Sequence, residues 1–336
     1  MESQHLIANR NLKLRYISKQ ATGCVGLRNQ GNTCYMNSYL QTLYHLSFFA
    51  KQVLNIPSNQ KIDNFPDALQ ILFYDLLTGT TQQQTTNLLK SFGWEYEDAQ
   101  VQHDIQEFGC HLIETLEQNM DKYPELKGSV QKLFQGQTIY YIKCINVNFK
   151  TERIEPFFDI QLQVKDMRSL KDSLIQYTQE EMLIGDNIYD TGDQQYGKQD
   201  AKRGAKFKIL PPVLQITLKR FEYDKNYGYL KKILDPYEYP LILDMKPFMN
   251  LYNSKKSDNN EFQYELFAVL IHSGQYSGSG HYYAYIKKQK QWFKFNDSVV
   301  EKISESQALQ GGRGGNATHL VWKPLELSGF FKNFIS

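Results

Sequence analysis

The run Gly26-Leu27-Arg28-Asn29-Gln30-Gly31-Asn32-Thr33-Cys34-Tyr35-Met36-Asn37-Ser38 decides how the chain is read. Glycines and small polar residues come first. Met36, Leu40 and Leu43 then recur at helical spacing, which predicts a buried helix with Cys34 in its first turn. Unpaired N–H groups and the positive end of a helix favour a thiolate over a thiol, so the position suits a nucleophile. Asn29, upstream on the glycine-flanked loop, is placed to bring a side-chain amide to a developing oxyanion. A cysteine taken alone is more often a small buried hydrophobe, so the rest of the chain has to supply its partners.

At 336 residues the chain has room for one large domain or two ordinary ones, and 41% hydrophobic residues suffice for a sizeable core. The formal charge of +2 is nearly balanced, and no segment concentrates Lys and Arg among aromatics, so no nucleic-acid partner is expected. Gly311-Gly312-Arg313-Gly314-Gly315 holds a single RGG and is read as a mobile loop. Cys24, Cys34, Cys110 and Cys144 contain no C-x-x-C pair, which argues against a disulfide framework and a zinc ribbon and fits a reducing compartment. The seven histidines are dispersed without an H-E-x-x-H pair, so neither a metal nor a cofactor is expected. Residues 1–20 lack a continuous apolar core, and their Arg10, Lys13 and Arg15 are read as a frayed terminus rather than a transit peptide. Nowhere do about 18 apolar residues run together. An intracellular protein of the cytoplasm or nucleus, without a membrane partner, is therefore expected.

The first third reads helical. Asn64-Phe65-Pro66 opens a segment with Leu69, Leu72, Phe73, Leu76 and Leu77 on one face, and the proline falls in the first turn, where its missing N–H costs little. Residues 80–86 read as a connecting loop. From about Gln102, Ile105, Phe108, Leu112 and Leu116 mark another amphipathic helix. From Thr138 the pattern turns to strands: 138–149, 157–164, 206–210, 213–221, 239–243, 264–272, 282–287, 291–295 and 319–322, with a polar loop or tip at 186–203. Helices grouped first and strands later indicate an α+β protein without internal repeats.

A nucleophilic cysteine needs a base. His281 stands in Ile271-His272-Ser273-Gly274-Gln275-Tyr276-Ser277-Gly278-Ser279-Gly280-His281-Tyr282-Tyr283-Ala284, where the glycines predict a flexible loop running into a strand and displaying the imidazole at a cleft. His272, inside the preceding strand, is read as structural. The base in turn needs an acceptor to fix its tautomer. Trp292-Phe293-Lys294-Phe295-Asn296-Asp297-Ser298-Val299-Val300 follows, although its Asn-Asp pair is also a common turn between strands.

These three runs, with Val101-Gln102-His103-Asp104-Ile105-Gln106-Glu107-Phe108, closely resemble in content and order the boxes of the ubiquitin-specific proteases, the papain-like family of deubiquitinating enzymes. Ser91-Phe92-Gly93-Trp94, Leu210-Pro211-Pro212-Val213-Leu214 and Leu218-Lys219-Arg220-Phe221 extend the match, which runs from about Thr22 to Lys323. Within the family the likeness is greatest to the catalytic domain of the herpesvirus-associated member. The resemblance implies a papain-like α+β fold, with a thumb over about 22–126 and fingers and palm over about 138–326. An N-terminal extension, 1–21, and a C-terminal tail, 327–336, flank it. It also implies a monomer that acts on ubiquitin and ubiquitinated proteins, hydrolysing the bond after the C-terminal glycine of ubiquitin. Cys34 would be the nucleophile, His281 the base and Asn296 the third member of the triad. Asp297 is the runner-up for that third place, or a support to the oxyanion through a bound water, and Asn29 a donor to the oxyanion. Asp104 would pair with an arginine of the ubiquitin tail, although a first-turn acid equally complements a helix dipole. Gln102 would add a hydrogen bond, Trp94 would gate the cleft, and Phe221 and Tyr282 would wall a channel for two glycines; core packing is the simpler explanation for each aromatic.

Two features depart from the family pattern. The zinc-binding cysteine pairs of many members are absent, so the fingers are expected to be held by packing, and residues 317–323 lack the usual ending of the last strand. A catalytically silent ubiquitin-binding module and a papain-like peptidase for unrelated substrates are the alternative functions. Ordering by substrate is expected at 225–228, 275–280 and 311–315, with Cys34 and His281 further apart than about 3.2 Å in the free protein.

Overall fold

The computed structural model describes residues 18–57, 64–93, 104–225, 228–250, 262–276 and 278–325. The helices that precede the sheets are α1 (Cys34–His45), α2 (Ser47–Leu54), α3 (Phe65–Thr78), α4 (Thr86–Ser91), α5 (Ile105–Met120) and α6 (Ser129–Phe134). Every residue of α1 from Cys34 to Leu43 is buried, so its polar side chains must find partners inside the protein. Ser38 and Thr42 hydroxyls donate to the carbonyls one turn back, at 2.8 and 2.9 Å, and the Gln41 amide donates to the Val25 carbonyl at 2.9 Å. The Asn64 side chain accepts from the Asp67 N–H at 3.1 Å and caps α3. That helix buries Leu69, Leu72, Phe73 and Leu76, as their spacing predicts. Leu77, expected on the same face, is 56% exposed: it stands about 100° round the helix from the buried Leu76 and falls outside the packed stripe.

The strands are β1 (Gly136–Cys144), β2 (Lys150–Phe157), β3 (Ile160–Gln163), β4 (Glu181–Leu183), β5 (Tyr189–Asp190), β6 (Lys198–Gln199), β7 (Ala201–Ile209), β8 (Leu214–Lys219), β9 (Phe221–Asp224) and β10 (Tyr229–Lys232). They continue with β11 (Ile242–Asp244), β12 (Gln263–Tyr276), β13 (Ser279–Lys288), β14 (Gln291–Asn296), β15 (Val299–Ile303) and β16 (Ala317–Pro324). Two later helices interrupt them, α7 (Leu170–Thr178) and α8 (Glu305–Arg313). The large sheet has the order β15-β14-β13-β12-β16-β8-β3, with β10 and β11 also pairing to β12 and β9 to β10. Its β3–β8 pair is parallel. A second sheet, β2-β1-β7-β4, is antiparallel throughout and stands apart.

The large sheet is buried on both faces, which its alternation records. Leu270, Ala284, Ile286 and Phe295 join the core shared with α1, α3 and α5, whereas Val269, Ile271, Leu320 and Trp322 join a second core closed by α7 and α8. α1 is thus pressed between the helical layer and the sheet. In the separate sheet, Cys144, Leu183 and Ala201 form a small core of their own.

Several expectations need correction. The predicted strand 138–149 ends at Cys144, and the following hairpin returns as β2, whose alternation of charged residues hid it. The predicted loop 275–280 is instead the closed end of the β12–β13 hairpin, with Tyr276 paired to Ser279, so His281 lies within a strand. The run 311–313, read as a mobile loop, is the last turn of α8. A Cβ on Gly311 would lie 2.4 Å from Ile271 Cδ1, and one on Gly312 2.0 Å from the Tyr237 carbonyl oxygen. Those glycines allow close packing.

Candidate active site

Cys34 is the first residue of α1, and the loop before it is tied together by its own side chains. Asn29 Oδ1 accepts from the N–H groups of Gly31 (3.1 Å) and Thr33 (3.2 Å), and Thr33 Oγ1 accepts from the Gln30 N–H at 3.0 Å. Gly31 takes φ 128° inside this turn. The sulfur is buried and accepts from the Tyr282 N–H at 3.3 Å.

β13 lies against α1 and brings His281 to the same sulfur. The neighbouring Cys34 thiol first, then the bond to Asn296 and the charges of Cys34 and Asp297, push His281 up to about 9; partial burial opposes the shift. Its Nε2 contacts Asn296 Oδ1 at 2.6 Å, which leaves Nδ1 for the sulfur. Asp297 Oδ2 is 3.9 Å from Nε2, so Asn296 rather than Asp297 is the hydrogen-bond acceptor of the imidazole. Thiol, imidazole and amide form one line across α1, β13 and β14.

Asp297 has a different place. It opens the two-residue turn between Asn296 and Val299 with φ 48°, a conformation that glycine usually takes in such hairpins. Its Oδ2 accepts from Asn29 Nδ2 at 3.0 Å, its Oδ1 from Asn37 Nδ2 at 2.8 Å, and its carbonyl from the Leu27 N–H at 2.9 Å. A Cβ on Gly26 would fall 2.4 Å from that carbonyl oxygen, so glycine is required for the approach. One N–H of the Asn29 amide is thereby engaged by Asp297. Asn37 was not singled out from sequence. The available signal was a buried Asn, a poor helix former, one turn after Cys34 on the same face.

Among the proposed substrate contacts, Asp104 is exposed at the N-cap of α5, where its Oδ1 accepts from the Gln106 N–H at 2.7 Å and the Glu107 N–H at 3.3 Å. Its charge reaches Tyr282. Burial first, then Asp104 and Cys34, hold the Tyr282 phenol protonated well above its usual range. The Tyr282 side chain is only 2% exposed, which corrects its expected place on an open channel wall; what it presents to the site is its main-chain N–H. Its ring and that of the half-buried Phe221 flank His272, at centroid distances of 4.6 and 5.5 Å. Trp94 and Gln102 lie outside the described residues.

His272 is structural, as read: it is fully buried and pushed down to about 4, by burial and then by the Lys232 ammonium. Lys232, itself buried, donates to the His272 carbonyl, to the Gly274 carbonyl at 3.2 Å and to Asn316 Oδ1 at 3.1 Å. These bonds root the hairpin that carries His281.

A family model described as ubiquitin carboxyl-terminal hydrolase matches residues 25–322. Ubiquitin carboxyl-terminal hydrolase 15 of Saccharomyces cerevisiae is 41% identical to this chain, over 90% of it and 25% of the yeast protein. Ubiquitin C-terminal hydrolase 12 of Arabidopsis thaliana is 46% identical, over 89% of this chain and 27% of the plant protein. The chain therefore spans about a quarter of the length of the curated relatives it matches. Among solved structures, a chain of the SAGA Ubp8/Sgf11/Sus1/Sgf73 DUB module bound to ubiquitin aldehyde matches with a TM-score of 0.77 and 30% identity, covering 90% of this chain and 70% of that one. The papain-like α+β fold, with its thumb, palm and fingers, is common to both.

Proposed function

Because the chain belongs to the ubiquitin carboxyl-terminal hydrolase family, we propose that it is a thiol hydrolase that cleaves the amide or isopeptide bond after the C-terminal glycine of ubiquitin. The observation that carries this reading is that the strand holding His281 docks on the Cys34 sulfur through the next N–H, that of Tyr282, at 3.3 Å, while His281 Nε2 meets Asn296 Oδ1 at 2.6 Å. The Cys34 sulfur attacks the glycine carbonyl as His281 takes its proton. As the sulfur adds to the glycine carbonyl, the Asn29 amide and the main-chain N–H groups at the start of α1 receive the oxyanion. His281 then gives its proton to the departing lysine amine, and a thioester remains. Water, deprotonated by His281, opens the thioester and releases ubiquitin. Asn296 keeps the ring oriented through both steps. Asp297 acts through Asn29, and Asp104 at the mouth pairs with a guanidinium of the ubiquitin tail.

Ubiquitin and ubiquitinated proteins are accordingly the partners, met by a monomer. The lack of paired cysteines in the separate sheet, where Cys144, Leu183 and Ala201 pack together, supports a place beside the herpesvirus-associated member.

Ubiquitin carrying a fluorogenic C-terminal amide tests the reading. Turnover is expected, with Cys34→Ala lowering it by at least about 1,000-fold. Binding of ubiquitin without turnover would make the protein a silent binding module instead. Hydrolysis of short peptides with no preference for ubiquitin would make it a general papain-like peptidase.

A further inference from the structure

A buried ammonium sits beneath the β12–β13 hairpin and is held by uncharged oxygens. Lys232, the last residue of β10, donates to the His272 carbonyl, to the Gly274 carbonyl at 3.2 Å and to Asn316 Oδ1 at 3.1 Å. The neighbouring charge has the same sign: burial first and then the Arg220 guanidinium push Lys232 down to about 8. Arg220 is itself fully buried and donates to the carbonyls of Ala317, Ile233 (3.0 Å) and Asp235 (3.1 Å). A cation in that setting costs stability that an apolar side chain would not, so its use has to be sought in what it holds.

What it holds is the stretch of β12 opposite His281. The two main-chain carbonyls flank Ser273, and Ser273 is the cross-strand partner of His281. Between that pair and the next, Tyr276 with Ser279, β12 has two residues, Gly274 and Gln275, against the single Gly280 on β13. This is a β-bulge in a glycine-rich stretch whose register its own side chains specify weakly. On its other side β13 pairs with β14 from Ala284 onward, so among the described pairs the main chain at His281 has β12 as its neighbour. A slip of one residue turns every side chain to the opposite face, which would carry the imidazole away from the sulfur that the adjoining Tyr282 N–H meets at 3.3 Å. Asn316, the third acceptor, ties the same point to the start of β16, since its carbonyl accepts from the His272 N–H at 2.9 Å.

We propose that Lys232 is a positioning residue for the hydrolysis: by holding the carbonyls on either side of Ser273, it fixes the register of β12 against β13 and thereby the place of the His281 imidazole beside Cys34. The proposal rests on the reading of Cys34 and His281 as nucleophile and base. Lys232 acts through the main chain, not on the reacting atoms. A lysine that served packing alone would leave a different mark, since its loss would alter the melting temperature while the sulfur of the folded protein stayed as reactive as before.

The experiment compares the full chain with its Lys232→Met and His281→Ala variants, well below their unfolding temperatures, in two assays. With the fluorogenic ubiquitin amide, Lys232→Met is expected to lower kcat at least about 30-fold and to leave KM within about twofold. Without ubiquitin, alkylation of Cys34 by iodoacetamide is followed by peptide mass spectrometry across the pH range in which a thiol titrates. His281→Ala moves that profile to higher pH, toward an ordinary thiol, and Lys232→Met is expected to cover at least half of the same shift. Asn316→Ala removes one acceptor of the ammonium and leaves the others. It is expected to show both effects at a few-fold size, and it carries the test if Lys232→Met does not fold. An unchanged kcat, a rise in KM alone, or an alkylation profile that stays with the wild type in a folded variant overturns the proposal. A chain that does not turn over ubiquitin, yet whose Cys34 profile answers to both His281 and Lys232, would sink the hydrolase reading and leave the positioning role standing.

Discussion

Asp297 illustrates how one side chain can organise a reaction that it does not touch. Its carboxylate joins Asn29, on the oxyanion side, to Asn37, on the buried face of α1, and its own backbone is held at φ 48° by those bonds. Asn37→Ala removes one donor from a largely enclosed carboxylate. It is expected to lower kcat on the fluorogenic ubiquitin substrate about tenfold with little change in KM, and to cost about 1–3 kcal/mol of stability. An unchanged kcat in a folded Asn37→Ala protein would remove Asp297 from the positioning role. The imidazole offers a second measurement. His281 is raised to about 9, so the proton needed by the leaving amine is retained through neutrality and lost above that value. The pH–rate profile should fall on its alkaline side near pH 9. Asn296→Ala, by deleting an acceptor that raises His281, should move that limb downward and reduce kcat; a limb that stays in place would mean that another group sets it.

At the scale of elements, the β12–β13 hairpin is the part with least tolerance. Gly280 has φ 145°, and a Cβ there would come 2.5 Å from His272 Nε2, inside a ring that is itself enclosed by Phe221 and Tyr282. Gly280→Ala must displace either the ring or the strand. We expect kcat to fall about 100-fold through the adjacent His281, and near-wild-type turnover would show that the hairpin can shift without moving the imidazole. Gly312→Ala meets the Tyr237 carbonyl oxygen at 2.0 Å and should destabilise the fold by about 2–4 kcal/mol, readable in urea unfolding. These glycines also mark where the sequence could be read and where it could not. Cys34, His281 and Asn296 were legible because the runs around them resemble the boxes of the family, and the structure brings those runs together at α1, β13 and β14. Asn37, the Tyr282 N–H and the helical state of 311–313 were not, because each depends on a neighbour more than 70 residues away in the chain. Hairpin closure at Tyr276–Ser279 was hidden by glycines that allow a loop as readily as a tight turn.

For the whole molecule, burial of imidazoles fixes the acid limit of stability. His45, His272 and His319 are each pushed down to about 4, chiefly by burial. The unfolded chain binds their protons near pH 6.5 and the folded chain only near 4, so folded stability is full above 6.5 and falls as pH drops toward 4. The fully buried His272 and His319 account for up to about 3 kcal/mol each. His281 acts in the opposite sense at the alkaline end, where what it contributes is lost as pH rises through about 9. Unfolding free energies in urea from pH 7 to 4 should show the acid decline, and a flat profile between 6.5 and 5 would contradict the burial argument. The position of β16 has a further consequence. It lies between β12 and β8 in the middle of the large sheet, although it is formed by residues 317–324. During synthesis, everything upstream must wait on the ribosome with a gap in its main sheet until this stretch emerges. A nascent chain stalled before it emerges should be readily degraded, because β12 and β8 then lack the strand that joins them.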